Sequence, residues 1–158
     1  MLNYSGLVRQ LAPAGIALLA MISLPVKAAV LNVPADFATI QAAINAAKTG
    51  DEVVVATGTY RVNLQLRAGV DLRGTETART FLQSADDTLP VIQAANINNV
   101  LVSNFTFIET TNGVLLTDST GITLANNVFD SLSGTAITVG IQSVTRIENN
   151  TFWRNNAA

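Results

Sequence analysis

The sequence predicts an all-β fold, a right-handed parallel β-helix, and two observations carry this prediction. Three six-residue segments align with one another, and their last residues, Phe107, Phe129 and Phe152, are spaced by 22 and 23 residues. Beyond residue 73 the chain holds only short apolar runs separated by Asn, Gly, Ser, Thr and Asp, as in proteins built from many short strands. A repeat of this length is typical of a solenoid, because one coil buries its apolar side only against the next.

Composition limits both the size of the fold and its chemistry. The 158 residues, 49% hydrophobic and 13% charged, are enough for one domain. The sequence contains no cysteine and no histidine, which excludes disulfides, thiol nucleophiles, Cys/His zinc sites and a Ser-His-Asp triad. We therefore expect no cofactor and no metal site.

Residues 1–28 have the pattern of a secretory signal peptide. Arg9 precedes an apolar run at 11–24, and Val26-Lys27-Ala28 ends in a small residue suited to cleavage. The alternative is an uncleaved anchor, although the run is shorter than the ~20 residues of a spanning helix. After cleavage, seven basic and eleven acidic residues remain, a net charge of −4. Nucleic acid is therefore not an expected partner, and we expect a secreted, periplasmic or cell-surface protein without membrane contact.

A cap at residues 33–50 is predicted to open the mature chain. A short amphipathic helix runs through 42–48, and Asp36 or Thr39 can cap its start. Gly50 can take a left-handed conformation after its end. The apolar positions recur at helical spacing: Ile40, Ala43, Ile44 and Ala47.

The predicted coils occupy residues 51–158. Residues 51–56 form a β-branched strand, a turn follows at 57–60, and a strand pair lies around 62–66 and 70–73. Residues 74–90 are predicted to be a loop between coils.

Stacking the three repeats places equivalent residues in columns. Asparagine tolerates a left-handed bend and can form hydrogen bonds along a column, so we expect a structural ladder at the bends. The expected columns are Val102, Leu124 and Ile147; Phe107, Phe129 and Phe152; and, for the ladder, Asn104, Asn126 and Asn149.

The opening of the mature chain resembles that of pectin-lyase-like β-helix proteins, including pectinesterases. The resemblance rests on Val-Pro-Ala-Asp-Phe-Ala-Thr-Ile-Gln-Ala-Ala-Ile at 33–44, Gly-Asp-Glu-Val-Val-Val at 50–55 and Gly-Thr-Tyr-Arg at 58–61. It implies a helix that plugs the first coil and Asn ladders at a bend. It does not imply one activity, because the superfamily contains lyases, hydrolases, esterases and proteins with no known catalysis.

The catalytic motifs of pectinesterases are largely missing. Asp86-Asp87-Thr88-Leu89 looks like their Gln-Asp-Thr-Leu segment, but Asp86 replaces the glutamine, and the downstream Asp-Phe and Arg-Pro-Trp motifs are absent. Two adjacent carboxylates also offer too few oxygens for calcium. Arg146 and Glu148 share a strand face without an acidic stripe beside them, which favours an exposed ion pair. No catalytic residue is predicted.

Trp153 and Asp130 are the candidate ligand-binding residues. By period and alternation both lie on the outer face of a strand, where an exposed tryptophan above an aspartate can stack on a sugar ring. A polysaccharide is thus the candidate partner. The alternative is that a following coil, or a partner chain, covers Trp153.

No C-terminal cap is recognisable, and we expect a truncated solenoid or self-association through its uncapped end. Three functions remain open. The first is a non-catalytic exported scaffold or carbohydrate-contacting surface domain, the second the N-terminal part of a polysaccharide-active esterase or lyase, and the third an adhesin-like structural segment.

Overall fold

Three parallel sheets wrap around one apolar core in the computed structural model, which describes residues 27–156. Each complete coil adds one strand to each sheet, so the predicted parallel β-helix is confirmed. Sheet 1 contains β1 (Val30–Val33), β2 (Glu52–Val55), β5 (Asp71–Gly74), β8 (Asn98–Ser103), β11 (Thr120–Ala125) and β14 (Val144–Glu148). Sheet 2 contains β4 (Leu64–Gln65), β7 (Ile92–Ala95), β10 (Val114–Thr117) and β13 (Ile137–Val139). Sheet 3 contains β3 (Gly58–Arg61), β6 (Thr80–Gln83), β9 (Thr106–Ile108), β12 (Val128–Asp130) and β15 (Thr151–Trp153).

The predicted columns coincide with the strand register. In sheet 1, Leu124 lies between Val102 and Ile147. In sheet 3, Phe129 lies between Phe107 and Phe152. The spacing of 22 and 23 residues is thus the length of one coil.

The phenylalanine column forms a stack inside the core. The ring centroids of Phe107 and Phe129 are 4.6 Å apart, those of Phe129 and Phe152 are 5.1 Å apart, and both ring pairs are nearly parallel. Phe107 and Phe129 are fully buried, whereas Phe152, on the last described coil, is 52% exposed. Burial of the inner two rings, together with their stacking, ties neighbouring coils to one another.

The capping helix forms where the sequence predicts it. Helix α1 spans Ile40–Ala46, and the Thr39 side chain accepts a hydrogen bond from the backbone N–H of Ala42. Thr39 is therefore the N-cap, while Asp36 accepts hydrogen bonds from Asn32. The helix ends two residues before Lys48 because Ala47 has extended backbone angles.

Helix α1 also covers the first edge of sheet 2 through Gln41. The Gln41 side-chain oxygen accepts a 2.9 Å hydrogen bond from the backbone N–H of Gln65, and its amide donates a 3.2 Å bond to the Gln65 carbonyl. One side chain therefore pairs with both outward backbone groups of β4.

Asp51 connects the end of the cap to the first strand. Its carboxylate accepts hydrogen bonds from the backbone N–H groups of Lys48, at 2.7 Å, and Ala29, at 2.8 Å. The bond from Lys48, followed by that from Ala29, lowers the pKa of the Asp51 carboxyl below its ordinary value. The ionised form therefore stabilises the folded state.

We expect Asp51→Asn to lower the melting temperature at neutral pH. A carboxyl with a lowered folded pKa contributes fully above its unfolded pKa, about 4, and the contribution disappears as pH falls through the folded value. The difference from the wild type should shrink below about pH 4, as measured by circular dichroism melts across pH. Asp118→Asn, at an exposed aspartate, is the control and should change little. A difference that stays constant in acid would contradict this role of Asp51.

The strands expected around 62–66 and 70–73 do not pair with each other, because β4 lies in sheet 2 and β5 in sheet 1. Two further local predictions are wrong. Residues 57–60 do not form a turn, because Gly58–Arg61 is strand β3 and pairs with β6. The segment 74–90 is only partly a loop, since it contains a 3-10 helix at Thr77–Arg79 and strand β6. In both places pairing with neighbouring coils outweighs local preferences for turns and loops.

The expected signal peptide at residues 1–28 lies almost wholly outside the described residues. Its cleavage site and the predicted limits of the coils, 51–158, stay predictions. Among residues 27–156, no helix is long and apolar enough to cross a membrane.

Candidate functional site

The asparagines at the bends have two different roles: some adopt the left-handed backbone conformation, and others form side-chain hydrogen bonds between coils. Asn104, Asn126 and Asn149 have φ angles of 62°, 56° and 54°, so each occupies the left-handed bend expected of it. Their side chains, however, form no hydrogen bonds with other described residues along the column. The coil-to-coil side-chain bonds are made one residue later, by Asn127 and Asn150, so the expected ladder position was one residue early.

Asn127 makes the better buried of these bridges and is 1% exposed. Its side-chain oxygen accepts a 3.0 Å bond from the Phe105 backbone N–H, and its amide donates a 3.0 Å bond to the Val102 carbonyl. Asn150 repeats the pattern one coil on, with the Asn127 backbone N–H and the Leu124 carbonyl. The paired Asn-Asn sequence at 126–127 and 149–150 was the signal for this division, because only one asparagine of each pair can face inward.

Trp153 and Asp130 are brought together as expected. They face each other in register on β15 and β12, neighbouring strands that lie about 4.8 Å apart in such sheets. Trp153 is 58% exposed, so its indole is accessible on the outer surface of sheet 3.

Arg154 completes this surface with a charged pair. Its guanidinium donates hydrogen bonds of 2.9–3.2 Å to both carboxylate oxygens of Asp130. The Ser131 hydroxyl donates another, at 2.8 Å. The bond from Arg154, and then that from Ser131, lowers the pKa of the Asp130 carboxyl below its ordinary value. The surface therefore combines an exposed aromatic ring with an oriented, ionised carboxylate.

A small polar cavity of about 180 Å³ lies on the same side of the coil. It is lined by two carboxylates and four hydroxyl residues: Asp87, Glu109, Thr110, Thr111, Ser131 and Ser133. Glu109 accepts a 2.7 Å bond from the Gln83 amide. The sequence alone did not indicate this cavity, because its residues come from three successive coils.

The other charged groups singled out in the sequence have local roles. Asp86 accepts hydrogen bonds from the hydroxyl and the backbone N–H of Thr88. These bonds, the hydroxyl first, lower the pKa of the Asp86 carboxyl and fix the turn beside Asp87. Arg146 and Glu148 are 3.6 Å apart and substantially exposed, which matches the expected surface ion pair.

Comparison with known families places the chain in a family. A family model described as periplasmic copper-binding protein (NosD) matches residues 41–158, which is well over half of the chain. The chain belongs to the NosD family. No curated protein and no solved structure matches it. The match supports the β-helix, whereas the narrower likeness to pectinesterases receives no support from it.

The NosD family description names copper, but the described residues of this chain lack the side chains that usually bind copper. Copper prefers thiolate, thioether and imidazole ligands, yet the sequence has no cysteine or histidine, and its two methionines, Met1 and Met21, precede the described residues. Within residues 27–156, no group of three or more His, Cys, Asp or Glu side chains could hold a metal ion. The residues of the described β-helix thus do not fit a copper centre.

Proposed function

We propose that this member of the NosD family is an exported, periplasmic, non-catalytic β-helix scaffold that contacts polysaccharide through Trp153, Asp130 and Arg154. The periplasmic location follows the family description and the sequence pattern of residues 1–28. The exposed indole beside a charged pair is the observation that carries the carbohydrate proposal.

The chemistry of the three side chains suits a sugar. An indole face packs against the C–H face of a pyranose ring, while a carboxylate and a guanidinium supply acceptors and donors for its hydroxyl groups. Because Arg154 and Ser131 hold the Asp130 carboxylate in place, little side-chain freedom is lost when a ligand binds.

The parallel strands of sheet 3, which carry these side chains, suit a scaffold. Sheet 3 repeats its strands in register from β3 to β15, so its outer surface is long and regular. An extended polymer can lie along such a surface.

We expect Trp153→Ala to weaken binding to a recognised polysaccharide about fivefold, since loss of an aromatic contact removes about 1 kcal/mol. A glycan array identifies the ligand, and calorimetry with the chosen oligosaccharide gives the dissociation constant. Phe152→Ala is the matched control, because Phe152 is about equally exposed but belongs to the inner column. Its effect should appear in stability and not in binding.

The same experiments can contradict the proposal. Absence of binding on the array, or equal binding by the wild type and Trp153→Ala, would reject carbohydrate contact at this surface. Hydrolysis, de-esterification or elimination of a uronan by the wild type, lost in Asp87→Ala, would reject the non-catalytic scaffold. Light scattering of these samples tests the expected self-association, which a monomer at all concentrations would contradict.

A further inference from the structure

We propose that cleavage after Ala28 creates an ion pair between the new α-ammonium group of Ala29 and the carboxylate of Asp51, so that processing during export stabilises the first coil. The proposal rests on the predicted cleavage site. It is independent of the proposed sugar-contacting residues, and its test does not involve them.

Ala29 lies where the chain enters the β-helix, directly before β1. Its backbone N–H donates a 2.8 Å hydrogen bond to Oδ1 of Asp51, and its carbonyl accepts a 2.9 Å bond from the backbone N–H of Glu52. Both backbone groups of Ala29 are therefore held by the coil. Lys27 and Ala28, which precede it, are exposed. The Ala28–Ala29 peptide bond thus lies at the boundary between exposed chain and hydrogen-bonded coil.

Cleavage changes the charge on the nitrogen atom that Asp51 binds. Hydrolysis of the Ala28–Ala29 bond by a signal peptidase consumes one water molecule. The water oxygen becomes part of the Ala28 carboxylate, and both water protons go to the Ala29 nitrogen, which becomes an ammonium group. This nitrogen lies 2.8 Å from Oδ1 of Asp51. An attraction between opposite charges is thereby added to the existing hydrogen bond.

Asp51 is well placed to bind an ammonium group. It is 8% exposed, and its second oxygen, Oδ2, accepts a 2.7 Å bond from the Lys48 backbone N–H, which orients the carboxylate. The bond from Lys48, and then that from Ala29, lowers the pKa of the Asp51 carboxyl, so it is ionised at neutral pH. A cavity of about 410 Å³ lies beside Ala29 and Asp51, so water can reach the other two N–H groups of the ammonium.

The charged neighbours of this pair within residues 27–156 do not compete with it. The acidic neighbours accept hydrogen bonds from backbone N–H groups or from a guanidinium, and the basic ones cannot accept a bond from an ammonium. We therefore expect the pH dependence described below to belong to Ala29 and Asp51. The neighbours are Lys27, Asp36, Lys48, Glu52 and Asp71.

Export of the full-length chain, followed by mass spectrometry of the purified protein, tests the cleavage position, and we expect Ala29 as the first residue. Insertion of one glycine between Ala28 and Ala29 gives the matched comparison. The extended protein has the same net charge, but its ammonium lies one residue earlier, and Ala29 keeps a peptide N–H. Mass spectrometry verifies that it starts at the inserted glycine. At neutral pH the normal protein should melt about 3–5 °C above the extended one.

This difference in melting temperature should disappear at both ends of the pH scale. An ammonium whose folded pKa is raised by Asp51 contributes fully below its unfolded pKa, about 8, and the contribution is lost as pH rises through the folded value. The Asp51 carboxyl, whose pKa is lowered, contributes above about pH 4 and less as pH falls through its folded value. Asp51→Asn should abolish the difference, whereas Asp36→Asn, at another carboxylate of the cavity, should preserve it.

Competitive acetylation with acetic anhydride across pH measures the pKa of the Ala29 amine directly. It should lie above the ordinary value of an α-amino group, about 7.7–8.0, and return to that range in Asp51→Asn. Four outcomes would overturn the proposal: a first residue other than Ala29, equal melting temperatures of the normal and extended proteins, an equal effect of Asp51→Asn on both, or an amine that titrates in its ordinary range.

Discussion

Phe129→Ala should lower the free energy of unfolding by about 3–5 kcal/mol, the usual cost of truncating a buried phenylalanine. Phe129 is the central ring of its column, fully buried and stacked on Phe107 and Phe152. Its loss leaves a cavity and removes both stacking contacts at once. Urea unfolding followed by circular dichroism measures the change.

Phe152→Ala provides the comparison on the same column. Because Phe152 is half exposed and stacks on one ring only, its truncation should cost about 1 kcal/mol. Equal costs for the two variants would show that the stack does not extend through the described coils as the structure places it.

Asn127→Ala should lower the free energy of unfolding by about 2–6 kcal/mol. The substitution leaves the Phe105 N–H and the Val102 carbonyl without their partner, and each unpaired buried group costs about 1–3 kcal/mol. The same urea titration measures it, and hydrogen exchange at the Phe105 amide should accelerate because that amide loses its acceptor.

Asn126→Gly is the matched control for the neighbouring asparagine. Asn126 is exposed and its φ is 56°, a conformation that glycine adopts without strain. We expect a change within about 0.5 kcal/mol, as at ordinary surface positions. A loss of stability as large as that of Asn127→Ala would show that Asn126, the residue expected from the sequence to form the ladder, is the structurally important one.

The parts of the fold that could be predicted are those that repeat. Phe107, Phe129 and Phe152 mark the length of one coil, and that length determines which residues become neighbours. The left-handed bends at Asn104, Asn126 and Asn149 were predictable for the same reason, since asparagine tolerates that conformation. The surface pairing of Trp153 with Asp130 also followed from the period alone.

The parts that could not be predicted depend on contacts between coils of unequal length. Strand β6 and the 3-10 helix lie in a segment with turn-forming composition, and pairing with β3 and β9 determines the conformation of β6. The polar cavity combines Asp87 from one coil with Glu109 and Ser131 from the next two. No local pattern links these residues, so their proximity appears only once the coils are stacked.

Gln41 has a consequence for how this protein avoids aggregation. An uncovered outer strand is a template onto which another chain can add a strand of its own. By hydrogen-bonding to both the N–H and the carbonyl of Gln65, one glutamine amide takes the place that a foreign peptide backbone would occupy. At sheet 2, helix α1 therefore protects the first strand, β4, without proline, a bulge or a charged strand. The Gln41 amide forms the two hydrogen bonds that the backbone of an added strand would otherwise form.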